Sequence, residues 1–542
     1  MQENSNLSVL VVDPNPGMRG SLQTMLNQAG ITKIEYAVNA STAIRQLSRR
    51  SYDIILCEYD LGGGTAEGQD GQQLLEDLRH HRLIGLWTIF IMLTSEAVYG
   101  KVVSAAELTP TDYILKPFTV QMLGARIARA IERRAAFLPT YQLIGQGKLR
   151  EAIRHCAKGE TEHPRHAAEF ARLRAELHVE LKEFADAENL YRDVLAMRPL
   201  GWAGLGLART LHAQGQLDAA REVLEHLVVA NPRLMGAYDL LARCHEAAGE
   251  HAQSQKILED AVDISPHVVR RLRKLGEVAM ETGDVSAAEK SFKQVVAKAR
   301  YSEFRDPEDH VNLVKALVKK GDVAQAGGVI RDLERSLRGN ANLDACKAVS
   351  SALLLEATGN AAAAISELHA AVNAVRAGSG VSAGFRIDLA RSCLASRLDQ
   401  EASEVMLAVM NDAASGVTPQ QAMGVFVKAG RADLADGVGQ QLKAQAQILL
   451  GVADEKRNMG DVRGAVQTLL EALHIAPNNL QVMIAVVGGI LRQVHEMGWE
   501  HTLAELCAVQ LENIRALDPQ HPRLAALDDE YNGAKRKYGI AA

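Results

Sequence analysis

Four residues with chemically useful side chains stand at the carboxyl ends of short apolar runs. Asp13 follows LSVLVV (7–12), Glu58 follows DIILC (53–57), Thr94 follows TIFIML (88–93) and Lys116 follows DYIL (112–115). Two carboxylates, a hydroxyl and an ammonium make a set suited to electrostatic work on a charged group. No second set of this kind exists. No Ser-His-Asp or Cys-His arrangement follows from spacing. The glycine-rich stretch Gly62–Gly71 (GGGTAEGQDG) lacks the Lys-Ser or Lys-Thr of a nucleotide loop, and Gly145–Lys148 fails the same test. His80–His81 read as a solvated helix end, and His245 and His251 lack the acid of a helical zinc motif. The six cysteines, Cys57, Cys156, Cys244, Cys346, Cys393 and Cys507, are too scattered for a metal or redox pair and read as buried thiols.

The elements that must position the four residues follow from periodicity. Residues 1 to about 118 alternate apolar runs with amphipathic stretches at Met18–Gln28, Ala40–Arg49 and Gln72–Arg82. IEYAV (34–38) is a weaker run of the same type. Five strand–helix units with continuous apolar strands predict a parallel sheet covered on both faces, a doubly wound flavodoxin-like domain. Ligands in that architecture sit at the carboxyl ends of the strands, where the four residues stand. After Thr119 the strand signals stop and helix follows helix.

In the helical part, Gly147, Gly215, Gly249, Gly283, Gly321, Gly359 and Gly460 mark turns, and Pro164, Pro199, Pro232 and Pro266 recur at intervals of 35, 33 and 34. A small residue lies five positions after most of these glycines: Ala152, Ala220, Ala288, Ala326, Ala364 and Ala465. A small side chain there lets two antiparallel helices approach closely, and recurrence at this period predicts an α-helical solenoid. Proline stops the second helix of a pair because it cannot extend the hydrogen-bond ladder.

Composition agrees with this division. The 542 residues are 47% apolar but only 4% aromatic, which favours packed helices and excludes overall disorder. The net charge of −6 and the lack of a long basic run argue against nucleic acid. The start MQENSNLSVLVVD has no basic leader, and no apolar stretch reaches membrane-spanning length. These features predict a soluble cytoplasmic protein with no membrane insertion.

The N-terminal part resembles the receiver domain of bacterial response regulators over nearly its whole length, most specifically in Asp112–Tyr113–Ile114–Leu115–Lys116–Pro117–Phe118. The resemblance implies a domain that takes a phosphoryl group onto an aspartate ending strand three, beside a metal held by acids after strand one. Thr94 fits the hydroxyl position, Lys116 the lysine and Tyr113 the aromatic switch, and the bond before Pro117 is expected to be cis. Two positions depart. Asp13–Pro14 stands where the family has two acids, so Asp13 alone is a weak candidate ligand for Mg²⁺, which wants octahedral oxygens at about 2.0–2.1 Å. No cofactor is expected to be required. Glu58 stands at the phosphoacceptor position, with Leu61 three residues on fixing the register. Its extra methylene carries the carboxylate toward the place of a phosphoryl group, within reach of Lys116 and Thr94, so it partly imitates the phosphorylated state. Two other readings stay open: Glu58 tolerated in an inert fold, and Asp60 as an out-of-register acceptor.

The helical part resembles the tetratricopeptide repeat family. The best copies are Ala168–Pro199, Gly201–Pro232, Met235–Pro266 and Val269–Arg300, the last carrying Leu275–Gly276, Ala288 and Phe292 at the family's spacing. Degenerate copies cover about 307–340, 345–378, 383–415 and 446–477, with a further one at 488–519. The expected organisation is a receiver-like domain over 1–135, connecting helices over 136–167 and a solenoid with C-terminal capping helices over 168–542. Val120–Arg134, the last receiver helix, is expected to pair with Leu149–Lys158. The resemblance implies a concave groove lined by first helices. Arg209, Arg243, Arg270, Arg273, Lys315 and Lys319 would line it and grip an acidic peptide or a C-terminal carboxylate, or else form a solvated face.

Together these readings predict a non-enzymatic signalling adaptor of two-component type. The array would bind protein partners, with a histidine kinase or another two-component protein upstream. The alternatives are a constitutive scaffold with an inert receiver fold and, ranked lower, a DNA-binding regulator, for which no basic recognition helix stands out.

Overall fold

Three of the five apolar runs are too apolar to face water on either side, and the structure buries almost all of their residues. The computed structural model describes residues 6–62, 70–95, 110–266, 268–299, 305–378 and 380–538. Strands β1 (Ser8–Val12), β2 (Lys33–Ala37), β3 (Ile54–Glu58), β4 (Ile89–Ser95) and β5 (Asp112–Lys116) form one parallel sheet in the order β2-β1-β3-β4-β5. Central strands β1, β3 and β4 are buried almost throughout, while edge strands β2 and β5 are half-exposed. That difference is why the two edge runs are the weaker ones in the sequence.

Two apolar clusters cover the sheet faces. One joins Leu10, Ile55, Phe90 and Met92 to helices α2 (Ala40–Leu47) and α3 (Gly71–His80). The other joins Val9, Val11, Ile54, Ile91 and Leu93 to α1 (Pro16–Gln28) and the first half of α4 (Val120–Gly145). Each helix begins at a side chain that accepts from its free N–H groups: Asn15, Asn39, Asp70 and Thr119.

Helix α4 does not end at Arg134. It runs unbroken to Gly145, with Pro139 inside it, and packs against Leu149–Glu162. The expected boundary at 135 therefore falls inside a helix. Arg134 is still tied to the sheet, through Asp53 at 3.0 Å, while Phe137 of the next turn stacks on Phe170 of the array at a 4.0 Å centroid separation. One helix thus belongs to both parts.

The chain divides into two compact units, 1–320 and 321–542, so the receiver shares a unit with the first repeats. In the first unit the helix pairs are Ala167–Glu180 with Phe184–Met197, Gly201–Ala213 with Leu217–Ala230, Met235–Ala247 with His251–Ile264, and α5 (Val269–Thr282) with α6 (Val285–Ala299). Pro307–Lys320 follows. These bounds coincide with the four best repeat copies, whose last residue, Arg300, lies outside the described residues. All seven turn glycines take a positive φ, Gly283 at 85°, where it ends α5 in a left-handed conformation. Lys182 and Arg397 fill equivalent turns at φ 59° without glycine. The alanines five positions beyond the turns are buried. Gly276 shows the closeness required: a Cβ there would lie 2.5 Å from the Phe292 ring.

The second unit continues the helix pairs from Val323–Ser336 to Leu524–Lys537. Two features break its period. Pro419–Lys428 is an additional helix, opened by a reciprocal cap between Thr418 and Gln421. Ala432–Asn458 is 27 residues long and begins well before the copy expected from 446. Among the described residues no helix is long and apolar enough to cross a membrane.

Candidate functional site

The sheet brings Asp13, Glu58, Thr94 and Lys116 to one end because β1, β3, β4 and β5 are parallel and in register. Glu58 pairs with Leu93 and Ser95 with Lys116. Asp13 is 1% exposed; its Oδ1 accepts the Asn15 N–H at 2.7 Å and its Oδ2 lies 3.5 Å from Lys116 Nζ. Glu58 uses both oxygens: Oε2 is ion-paired with Lys116, and Oε1 accepts the Asp60 N–H at 3.3 Å. Lys116 thus bridges the two carboxylates. The Lys116–Pro117 bond is cis.

The expected contact between Glu58 and Thr94 is not made. Thr94 is fully buried, and its hydroxyl donates to the Ser95 carbonyl at 3.3 Å. Tyr113 packs against the cluster containing Met92, and its phenolic oxygen is shielded from solvent. Asp60 is exposed and accepts the Gly62 N–H at 3.1 Å, so its carboxylate serves a turn. Residues 63–69 of the glycine-rich loop lie outside the described residues.

Three residues of the pocket escaped the sequence reading. Arg19, one turn into α1, donates Nη1 to the Asp13 carbonyl at 2.6 Å and places a second cation beside the pocket. Asp70 caps α3 by accepting the Gln73 N–H at 2.7 Å, and Gly71 lets that helix start against β3. A Cβ on Gly71 would lie 2.5 Å from the Glu58 carbonyl oxygen and 3.1 Å from Cys57 Sγ. An Asp-Gly pair before a periodic apolar segment is the signal that reveals this start. Burial, reinforced by the nearby acids Glu58, Asp70 and Asp13, pushes the Cys57 thiol well up, so it stays protonated and unreactive.

The donor set fits Mg²⁺ poorly. Only Asp13 is a buried acid after β1; Pro14 offers no ligand, and Asn15 is used to cap α1, accepting from Gly17 at 2.9 Å. Glu58 is engaged by Lys116, and the Arg19 guanidinium adds positive charge where a divalent ion would need negative.

The six groove candidates separate into distinct environments. Arg209, Arg243 and Arg270 are exposed, and all three act electrostatically on Asp239. Arg273 is committed: its guanidinium grips Asp309, itself 1% exposed, with two bonds of 2.6 and 2.9 Å. Arg271, not one of the six candidates, is 2% exposed and forks onto Asp239 at 2.8 Å through each of two nitrogens. Lys319 donates to the Met280 carbonyl at 3.3 Å, and Lys315 is half-buried. Beside Arg270 and Arg273 a cleft of about 180 Å³ has its other wall on receiver helix α3.

A strand order of 2-1-3-4-5, with a carboxylate, a hydroxyl and a lysine converging at the strand ends, followed by stacked helix pairs, defines a receiver domain joined to a helical-repeat protein. Residues 9–128 match the response regulator receiver domain family, and residues 205–269 match a tetratricopeptide repeat family. The chain therefore combines a response regulator receiver domain with tetratricopeptide repeats. Chemotaxis protein CheY of Pseudomonas aeruginosa is 28% identical over 127 residues, which is 23% of this chain and 98% of that protein. Chemotaxis protein CheY-3 of Vibrio cholerae is 26% identical over 130 residues, 24% of this chain and 95% of that protein. Among solved structures, a tetratricopeptide repeat protein from Parabacteroides merdae covers 46% of this chain and 93% of its own, at 14% identity and a TM-score of 0.30. A receiver domain from Clostridium thermocellum covers 24% of this chain and 97% of its own, at 20% identity and a TM-score of 0.21.

Proposed function

We propose that this protein is a non-enzymatic cytoplasmic signalling adaptor whose receiver works without phosphorylation and whose repeat array holds a protein partner. The observation that carries the reading is the Glu58–Lys116 ion pair. A carboxylate stands at the end of β3, one methylene longer than aspartate, and is already joined to the lysine that would otherwise meet a phosphoryl oxygen. Glu58 supplies permanently, with one negative charge, part of what a phosphoryl group supplies on demand. No metal is required in this reading, because no charge is transferred. A histidine kinase or another two-component protein would then act as a binding partner of the receiver and not as a phosphodonor.

A constitutive scaffold with an inert receiver is the second reading. The observation favouring it is the Thr94 hydroxyl, which donates to the Ser95 carbonyl and not to Glu58. Affinity capture with full-length protein separates the two. An adaptor whose receiver reads Glu58 changes the amount of captured partner when Glu58→Ala is introduced. Equal recovery by wild type and Glu58→Ala, with both proteins folded, leaves only the scaffold.

A further inference from the structure

Helix α3 is buried on both of its sides. Leu74, Leu75 and Leu78 face the receiver core, as an amphipathic helix requires. Yet Gln72 and Glu76, four residues apart on another face, are only 6% and 9% exposed. A glutamate on the outer face of a receiver helix is ordinarily solvated, so something covers it. The cover is helix α5 of the repeat array: Arg270 and Arg273 form one wall of the cleft whose other wall carries Gln73, Glu76 and Asp77. Arg270 and Arg271 are the cations that act electrostatically on the Glu76 carboxyl.

We propose that the stretch of repeat surface carrying Arg270, Arg271 and Arg273 is the docking site of this chain's own receiver helix α3, so that a protein partner reaching this stretch must first displace it. The occupant is named by chemistry on both sides. An acidic, glutamine-bearing helix face meets a cationic helix face, and the array's buried forks, Arg271 on Asp239 and Arg273 on Asp309, hold the cationic face rigid. Arg271 and Arg273 are each forked onto a carboxylate of the array, and Arg270 is the exposed cation of the three. Burial pushes the Glu76 carboxyl up to about 7 despite Arg270, so the contact orients α3 more than it clamps it. A modest contact of this kind suits a surface that must be vacated. The proposal rests on the adaptor reading only in assigning the vacated surface to a partner.

The test is made on the full-length chain without any partner. Gln73→Cys places one thiol in the cleft, and the native cysteines of the protein are all buried. Its reaction with a maleimide is expected to be at least roughly tenfold slower than that of a cysteine at exposed Arg45, a difference of about 1.4 kcal/mol in opening. Adding Arg270→Glu, which sets an acid against Glu76, is expected to raise the Gln73→Cys rate toward the Arg45→Cys rate. Glu76→Lys is expected to do the same from the receiver side, with an unchanged circular-dichroism spectrum reporting an intact fold. Fast labelling of Gln73→Cys in the otherwise unaltered protein, or slow labelling that neither charge reversal changes, overturns the proposal. Because no partner is present, neither result depends on whether the array binds one.

Discussion

At the scale of single residues, the pocket is a three-body charge arrangement. Lys116 lies between Asp13 and Glu58, and each carboxylate also accepts one main-chain N–H. Removing the ammonium leaves two partly or wholly buried acids facing each other with no cation between them. Lys116→Ala is therefore expected to destabilise the receiver by about 2 kcal/mol, as read by thermal unfolding. In Glu58→Gln the same Lys116→Ala change is expected to cost about 1 kcal/mol less, a coupling measured by the double-mutant cycle. Additive effects would show that the pair contributes nothing to the fold. The four strand-end residues were legible because a parallel sheet puts its chemistry at strand ends. Arg19 was not, since its role is to donate to a main-chain carbonyl and no motif records that. The orientation of the Thr94 hydroxyl was equally hidden, because a rotamer is decided by packing and not by residue type.

Among the elements, close approach decides which substitutions matter. Gly276→Ala would push a methyl group against Phe292, which is 1% exposed and has no room to yield. The expected cost is about 1–3 kcal/mol, seen as a lower midpoint for unfolding of the first unit. An unchanged midpoint would mean that α5 and α6 are less tightly packed than described. The first four repeats were legible almost to the residue, because turn glycine, buried alanine and terminal proline each recur in three of the four. Legibility failed where one physical task is met by another residue. Lys182 and Arg397 adopt a left-handed turn without glycine, and the long helix Ala432–Asn458 carries no break at the expected period. The run of Val120–Gly145 past Arg134 was missed for a related reason. A helix serving two domains shows no boundary signal, and Pro139 lies inside it without ending it.

Across the whole molecule, the receiver and the first repeats form one unit, and the Glu76 contact between them titrates. Its carboxyl is raised to about 7 in the folded chain, against about 4.3 for a solvated glutamate. The groups facing it are Arg270 and Arg271 from α5, and Asp70 and Gln72 from its own side; His80 and His81 line the same cleft. The folded state binds the proton more tightly than the unfolded state, so this group favours folding below the solvated value. That advantage is lost as pH rises through about 7. Glu76→Gln, which cannot ionise, is therefore expected to match wild type near pH 4 and to unfold at a higher temperature than wild type near pH 8. A gap that is the same at both pH values would contradict the burial of Glu76. None of this was legible in the sequence, where Gln72–Arg82 reads only as an amphipathic stretch. The neighbour that covers Gln72 and Glu76 lies nearly 200 residues away along the chain.

The central claim is that Glu58 has replaced phosphorylation, and exposure of the full-length protein to acetyl phosphate and Mg²⁺ tests it most directly. Intact-mass and peptide analysis are predicted to find the chain unmodified. A stable phosphoryl adduct at Glu58 or Asp60 would contradict the account.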